Sequence, residues 1–253
     1  MNPFERCEIK VKSTLDGSPE PSLFYEADTS MGERPLLVGL HTWSYDRYNQ
    51  EKVMLPYAEK YNFHLLLPEF RGPNLVDNPR REQALGSPLA VQDIFDAAEY
   101  VIKNYKVDRE RVYLLGCSGG GHMSLMCAAK HPEYFRSVAS FVPITDVARW
   151  EKENPHYGKT IAACCKDDAD KLLRSPITYA ENLAKANLKI FHGKYDTSVT
   201  YRQSVDLFLE IMKIDPAARV FLDIFDGGHE MSMESALGWL LKGDEKILTK
   251  VTG

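Results

Sequence analysis

A serine in a glycine-rich turn is the first residue of this sequence that points to chemistry. Ser118 stands in Gly116-Cys117-Ser118-Gly119-Gly120, which follows an apolar run and precedes a helix-forming one. A G-x-S-x-G turn between a strand and a helix can hold its serine in a strained conformation and expose the hydroxyl as a nucleophile. Small flanking residues meet the steric demand of so tight a turn. The alternative is a glycine-rich connection without chemistry, because the motif alone is short.

A nucleophilic serine needs a general base, and the base needs an acid that orients it. Asp196 closes His192-Gly193-Lys194-Tyr195-Asp196, and His229 lies in Asp226-Gly227-Gly228-His229-Glu230. Asp196 and His229 each come shortly after a predicted strand, so both side chains are expected at the sheet edge that carries Ser118. We therefore predict a catalytic triad in which Ser118 attacks, His229 is the base and Asp196 is the acid.

Other acids and histidines compete for these roles. Asp226 is the main rival of Asp196 because it lies only three residues before His229. Asp196 could instead cap the following helix or belong to a surface turn, and His229 could be an ordinary loop histidine. The weaker rivals for the acid are Asp146 and Asp223, and the histidines expected to form supporting hydrogen bonds are His41, His122 and His192.

The oxyanion of a tetrahedral intermediate needs two N–H donors. Gly119 begins the helix after Ser118 and supplies the first donor. The loop His41-Thr42-Trp43-Ser44 follows a buried strand and is the place for the second donor. We assign that donor to the Trp43 backbone, with Thr42 as the alternative. The Trp43 ring then either walls the pocket or packs beneath the loop.

Composition excludes several other classes of protein. The 253 residues carry a net charge of −5 and no basic run, so neither nucleic acid nor an anionic membrane is an expected partner. No stretch approaches the ~20 apolar residues of a membrane span. The five cysteines lack zinc-like spacing with histidines, which favours reduced thiols and neither metal nor cofactor. With no signal peptide at the start, a cytoplasmic location is expected, although a removed signal would leave the same sequence.

Buried strands and amphipathic helices alternate along the chain and must position these residues. The predicted strands are 8–13, 22–27, 35–41, 63–68, 111–115, 137–143, 188–193 and 219–224, and the main predicted helices are 51–61, 89–105, 201–212 and 233–241. The first two strands suit the antiparallel end of a mixed sheet. The sequence predicts one α/β domain, 1–253, with a mostly parallel sheet of about eight strands and helices on both faces.

Residues 144–187 interrupt this alternation with a long connection. A stretch of this length between two strands is often a functional cover over a site. The candidate pocket residues are Tyr45, Trp150 and Tyr157. The alternative is a surface excursion that packs on the edge of the sheet.

The motifs together resemble the α/β-hydrolases of the prolyl oligopeptidase-like group over roughly residues 20–250. The resemblance rests on His41-Thr42-Trp43-Ser44, Phe70-Arg71-Gly72, the 116–121 turn, Ser175-Pro176, the 192–196 segment and Gly228-His229-Glu230. It implies the α/β-hydrolase fold and a serine hydrolase whose triad runs in the order Ser118, Asp196, His229.

Two departures from that group narrow the functional hypothesis. Its peptidases carry a large N-terminal β-propeller, for which this sequence has no room, and usually an aromatic residue where this chain has Gly119. The Ser118-Gly119-Gly120-Gly121-His122 run is more similar to stand-alone acetyl- and feruloyl-esterases. The leading hypothesis is a hydrolase of carboxylic esters, including acetyl or feruloyl esters of carbohydrates, that forms an acyl-enzyme. The alternatives are a small serine oligopeptidase and an inactive hydrolase fold that serves as a binding protein. The sequence leaves the oligomeric state open.

Overall fold

One eight-stranded sheet runs through the part of the chain that the computed structural model describes, residues 3–242. Its strands are β1 (Arg6–Lys12), β2 (Pro19–Tyr25), β3 (Arg34–Leu40), β4 (His64–Pro68), β5 (Val107–Cys117), β6 (Ser137–Phe141), β7 (Leu188–Gly193) and β8 (Val220–Phe225). Their spatial order is β1-β2-β4-β3-β5-β6-β7-β8. The first two pairings, β1 with β2 and β2 with β4, are antiparallel, and the five others are parallel. The predicted mostly parallel sheet with an antiparallel end is confirmed.

Helices cover both faces of this sheet. They are α1 (Glu51–Tyr61), α2 (Pro88–Asn104), α3 (Gly119–Lys130), α4 (Val147–Glu153), α5 (Gly158–Cys164), α6 (Asp168–Leu173), α7 (Ala180–Leu183), α8 (Tyr201–Ile214) and α9 (Met233–Leu240), with short 3₁₀ turns at Arg81–Gln83, Pro155–Tyr157 and Pro176–Tyr179. No helix within residues 3–242 is long and apolar enough to cross a membrane. The predicted domain 1–253 extends at each end into residues outside the described part.

The two faces of the sheet bury separate apolar cores because successive strand residues point to opposite sides. In β5, Val112 and Leu114 join the core beneath α2, α3 and α8, whereas Tyr113 and Leu115 join the core beneath α1 and α9. Leu36 and Leu37 of β3 divide in the same way. Burial on both faces explains why these strands read as continuous apolar runs.

Several predicted strand boundaries differ from the observed ones, and for two of them the structure shows a local reason. The prediction of 111–115 is too short because the charged residues before Val112 still extend β5 and pair with β3 through an irregularity between Arg34 and Leu36. The prediction of 137–143 is too long because Val142 has a φ of 42°, which ends the pleat of β6 at Phe141.

Residues 144–187 fold into α4 to α7 and the turns between them. Their first half shares one buried apolar cluster with residues from three neighbouring loops. The cluster contains Trp43, Leu85, Ile144, Val147, Trp150, Ile161, Cys164, Cys165 and Val199, with Tyr157 packed against it. This segment therefore contacts both the loop that carries Trp43 and the loop that follows β7.

Candidate active site

Ser118 occupies the single residue between β5 and α3. Its backbone has φ 57° and ψ −118°, a conformation that L-residues rarely adopt. Two hydrogen bonds hold it there: the Ser118 N–H donates to the Phe141 carbonyl at 2.9 Å, and its carbonyl accepts from the His122 N–H at 2.9 Å. A Cβ on Gly116 would collide with the Gly120 carbonyl, so the approach of strand to helix requires glycine. The turn has the strained geometry predicted for a nucleophile.

Ser118, His229 and Asp196 form one hydrogen-bonded line. The distance from Ser118 Oγ to His229 Nε2 is 2.8 Å, and that from His229 Nδ1 to Asp196 Oδ2 is 2.7 Å. Because a carboxylate only accepts, His229 Nδ1 carries the proton and Nε2 is free to accept the serine hydroxyl. The His229 side chain remains 28% exposed, whereas that of Asp196 is fully buried.

The loop after β7 fixes Asp196 from both sides. Its Oδ1 accepts from the N–H groups of Ser198 at 2.8 Å and Val199 at 2.9 Å, while Oδ2 faces His229. Burial by itself raises the pKa of Asp196, but the hydrogen bonds from His192, His229 and the Val199 N–H outweigh it and hold the pKa well below its ordinary value. Asp196 is therefore an anion at neutral pH.

His192 is a supporting residue that the sequence placed near the site without a stated partner. Its Nε2 lies 2.9 Å from the Val199 carbonyl and 3.3 Å from Asp196 Oδ2, and its Nδ1 lies 2.7 Å from Ser204 Oγ. The ring is completely buried. It joins the end of β7 to the start of α8 beside the Asp196 carboxylate, at the i, i+4 spacing visible in the sequence.

The rival acids lie elsewhere. Asp226 is exposed, and His229 Nδ1 is directed at Asp196. Asp223 pairs with Lys189 of the neighbouring strand at 3.0 Å. Asp146 caps α4, where its carboxylate accepts from the Arg149 N–H at 3.0 Å. The cap of α8 is Thr200, so Asp196 is free of that alternative role.

The other two histidines and the neighbouring cysteine form no part of this line. His41 stacks on Phe70 and places its ring nitrogens 2.9 and 2.8 Å from the carbonyls of Thr42 and Glu69. His122 is buried with Nε2 2.7 Å from the Arg174 carbonyl. Burial raises the pKa of Cys117 to about 12, so this thiol stays protonated. Among residues 3–242, no group of three or more His, Cys, Asp or Glu could hold a metal ion.

Gly119 and Trp43 bring their backbones into contact beside Ser118. A Cβ added to Gly119 would stand 2.5 Å from the Trp43 nitrogen, so only glycine permits this approach. Gly119 is also the first residue of α3, where the helix dipole favours negative charge. The two residues chosen from the sequence as oxyanion donors thus lie side by side. The Trp43 ring is 4% exposed and packs beneath its loop, the second of the two alternatives for it.

The three candidate pocket residues have different surroundings. Tyr45 is 59% exposed, two positions after Trp43. Trp150 is 2% exposed, stands edge-on to the Trp43 ring at 4.8 Å, and donates its indole N–H to the Ser198 carbonyl at 2.8 Å. Trp150 therefore packs inside the protein through both its ring and its N–H, and its assignment to the substrate pocket stays a prediction. Tyr157 is partly buried and stacks on Trp150 at 4.4 Å.

The strand order and the Ser118–His229–Asp196 line together define the α/β-hydrolase class. A family model described as the prolyl oligopeptidase family matches residues 88–239. The chain belongs to the prolyl oligopeptidase family.

Curated relatives include both peptidase-like and esterase-like proteins. The chain is 24% identical over 167 residues to inactive dipeptidyl peptidase 10 of Mus musculus, a match that covers 66% of this chain and 20% of the relative. It is 37% identical over 76 residues to S-formylglutathione hydrolase of Rattus norvegicus, a match that covers 28% of this chain and 27% of the relative. It is 34% identical over 92 residues to feruloyl esterase B of Neurospora crassa, a match that covers 34% of this chain and 30% of the relative. These matches span under a third of each relative.

Solved structures share the fold at low sequence identity. An acylaminoacyl peptidase in complex with Z-Gly-Gly-Phe-chloromethyl ketone gives a TM-score of 0.74 at 20% identity, covering 100% of this chain and 42% of that one. The Pyrococcus furiosus esterase Pf2001 gives a TM-score of 0.69 at 14% identity, covering 99% of this chain and 94% of that one. The described fold thus occurs both as part of a longer peptidase and as nearly the whole of an esterase.

Proposed function

We propose that this chain is a serine hydrolase that cleaves carboxylic esters through an acyl-enzyme. The observation that carries the proposal is the line from Ser118 Oγ through His229 to the buried Asp196 carboxylate. This line provides a nucleophile, a base with its free nitrogen on that nucleophile, and an anion that stabilises the imidazolium formed when the base takes a proton.

Acylation begins with attack of Ser118 Oγ on the ester carbonyl carbon, as its proton passes to His229 Nε2. The carbonyl oxygen becomes an oxyanion and accepts hydrogen bonds from the N–H groups of Gly119 and Trp43. The tetrahedral intermediate collapses, the bond to the alcohol oxygen breaks, and the imidazolium of His229 donates its proton to that oxygen. Water then attacks the acyl-serine with His229 again as base, and Ser118 regains its proton as the acid leaves.

Ester rather than amide cleavage is favoured by the simplicity of the site. An amide nitrogen leaves poorly, so a peptidase must protonate it and hold the peptide on both sides of the bond. An ester requires less positioning, and Ser118 with two N–H donors suffices. The esterase names among the relatives and the near-complete match to the P. furiosus esterase support this choice. The competing hypothesis is a small oligopeptidase, supported by the family and by the acylaminoacyl peptidase neighbour.

The proposal also covers the substrate pocket and the cellular location of the protein. Residues 144–187 serve as a cover, because their apolar cluster reaches the loops of Trp43 and Val199. Tyr45 and Tyr157 are the aromatic side chains on which a sugar or a phenolic acyl group would stack. A cytoplasmic location is supported by the free cysteines, four of them buried.

The first experiment is labelling with a fluorophosphonate probe, followed by peptide mass spectrometry. We expect one label, on Ser118, and none in the Ser118→Ala variant. Failure of the wild-type protein to react would favour the inactive binding protein. The acid is tested by comparing Asp196→Asn, expected to lower kcat by several powers of ten, with Asp226→Asn, expected to retain nearly full activity. The reverse result would show that Asp226 is the acid.

The second experiment compares kcat/KM for an ester and an amide with the same acyl group. A larger value for the ester is expected. Cleavage of proline-containing peptides without measurable ester hydrolysis would replace this proposal by the oligopeptidase. A panel that includes acetyl and feruloyl sugar esters then tests the substrate class, with Tyr45→Ala as the variant expected to raise KM for the feruloyl ester.

A further inference from the structure

A cavity of about 360 Å³ lies between α2, α3 and the segment that contains α6. This volume falls in the range of small-molecule sites, roughly 300–1,000 Å³. Val91, Met126, Ala129 and Leu173 form its apolar wall, and none of the triad or the two proposed oxyanion donors lines it. The cavity is therefore separate from the candidate active site.

Each polar side chain that lines this cavity has a hydrogen-bond or ion partner among the described residues, and Lys130 is the one charged side chain of the set without an ion pair there. Arg174 pairs with Asp170 at 2.9 Å and donates to the Ala84 carbonyl at 2.7 Å. The other two engaged side chains are Asn182, bonded to the Ala129 carbonyl, and Tyr179, bonded to the Leu173 carbonyl. The ion pairs within residues 3–242 leave out Lys130, whose Nζ bonds only the neutral Gln92 Oε1 at 2.9 Å.

We propose that this cavity binds a small amphipathic carboxylate. Its hydrocarbon tail would cover Val91, Met126 and Leu173, and its carboxylate would pair with Lys130 at the rim. Leu173 is 60% exposed although it lines an apolar wall, so a ligand that covers it removes apolar surface from water. A neutral ligand would leave the ammonium of Lys130 without a charge partner. A small inorganic anion would leave the apolar wall exposed to water.

The wall of the cavity is bonded to the first turns of the helix that follows Ser118. The Arg174 carbonyl accepts from His122 Nε2 at 2.7 Å, and the Gly86 N–H donates to Met123 Sδ at 3.2 Å. A ligand held against Arg174 and Gly86 therefore ties the segment of α6 more firmly to α3. Because the ligand binds the folded state, it raises the melting temperature as its concentration increases.

Calorimetric titration with octanoate, and with octan-1-ol as the neutral probe, tests this site. The Ser118→Ala protein is used, so the test needs no turnover and stands even if the proposed ester hydrolysis fails. We expect one saturable site for octanoate. Leu173→Ala should weaken binding about fourfold or more, the equivalent of one buried methylene. Leu172→Ala, at an exposed leucine outside the cavity, should leave binding unchanged.

The charge is tested with a second matched pair in the last turns of α3 and α2. Lys130→Gln should weaken octanoate binding about two- to fivefold without affecting octan-1-ol, and Lys103→Gln should affect neither. Absence of saturable octanoate binding, or equal weakening by the two leucine variants, would overturn the site. Equal affinity for the two probes would overturn the assignment of a carboxylate ligand.

Discussion

Replacement of Gly119 by alanine is the sharpest test of the paired N–H donors. The added Cβ would stand 2.5 Å from the Trp43 nitrogen and 2.7 Å from its Cα, against at least 3.4 Å for ordinary contact. Both atoms belong to the backbone and have no rotamer to escape into. The Trp43 loop and the start of α3 must therefore separate by about 0.9 Å, the shortfall from the 3.4 Å contact limit.

A separation of this size is enough to remove one donor from the oxyanion. A hydrogen bond of about 2.9 Å stretched by most of an ångström no longer counts as one. Loss of one oxyanion donor lowers kcat by about 10²–10³. We expect that loss in Gly119→Ala with KM changed far less, because the donors act mainly on the transition state.

The assay is steady-state hydrolysis of an activated ester, with the acylation burst measured separately. Circular dichroism melting shows whether the variant is folded. Gly238→Ala is the matched control, since a Cβ there meets nothing within 4 Å; it should keep full activity and gain about 0.5–1 kcal/mol of stability in its helix. A folded Gly119→Ala protein with kcat within a few-fold of wild type would refute the Trp43 assignment.

Three further predictions concern stability. Burial lowers the pKa of His122 to about 4, so the unfolded chain takes up the proton first; wild type should lose up to about 3 kcal/mol between pH 6.5 and 4 in urea titrations, and His122→Gln should lack this loss. Since the pKa of Asp196 lies below its ordinary value, the stability advantage of wild type over Asp196→Asn should be constant near neutral pH and shrink below about pH 4; a constant difference would contradict this. Trp150→Phe keeps the stacked ring but loses the bond to the Ser198 carbonyl, and thermal unfolding should show a loss of about 1 kcal/mol rather than none.

The fold could be predicted because its signals are local and mutually consistent. Continuous apolar runs mark strands that are buried on both faces, and because β5, β7 and β8 are parallel, their carboxyl ends lie at one edge of the sheet. This reasoning brought Ser118, Asp196 and His229 to one place, where the structure also puts them. Their catalytic roles remain the proposal made above.

The features that sequence reasoning missed depend on packing between distant segments. The burial of Trp150 follows from contacts with Trp43, more than 100 positions earlier, which no local pattern records. The contact of His192 with Asp196 arises because the loop after β7 folds back on itself. The extension of β5 into a charged stretch depends on pairing with β3, which continues at Arg34 on the far side of the register shift between Arg34 and Leu36.

The shared cluster of Trp43, Trp150 and Val199 has a consequence for changing what this protein accepts. The segment that would be exchanged to alter selectivity also packs against the loop of the proposed oxyanion donor Trp43 and the loop of the proposed acid Asp196. A graft that replaces residues 144–165 would have to reproduce those inner contacts while its outer residues vary. Substitutions in this segment that change selectivity are therefore expected to change turnover as well. Substitutions that leave turnover unchanged should be found on the solvent side of α4 and α5.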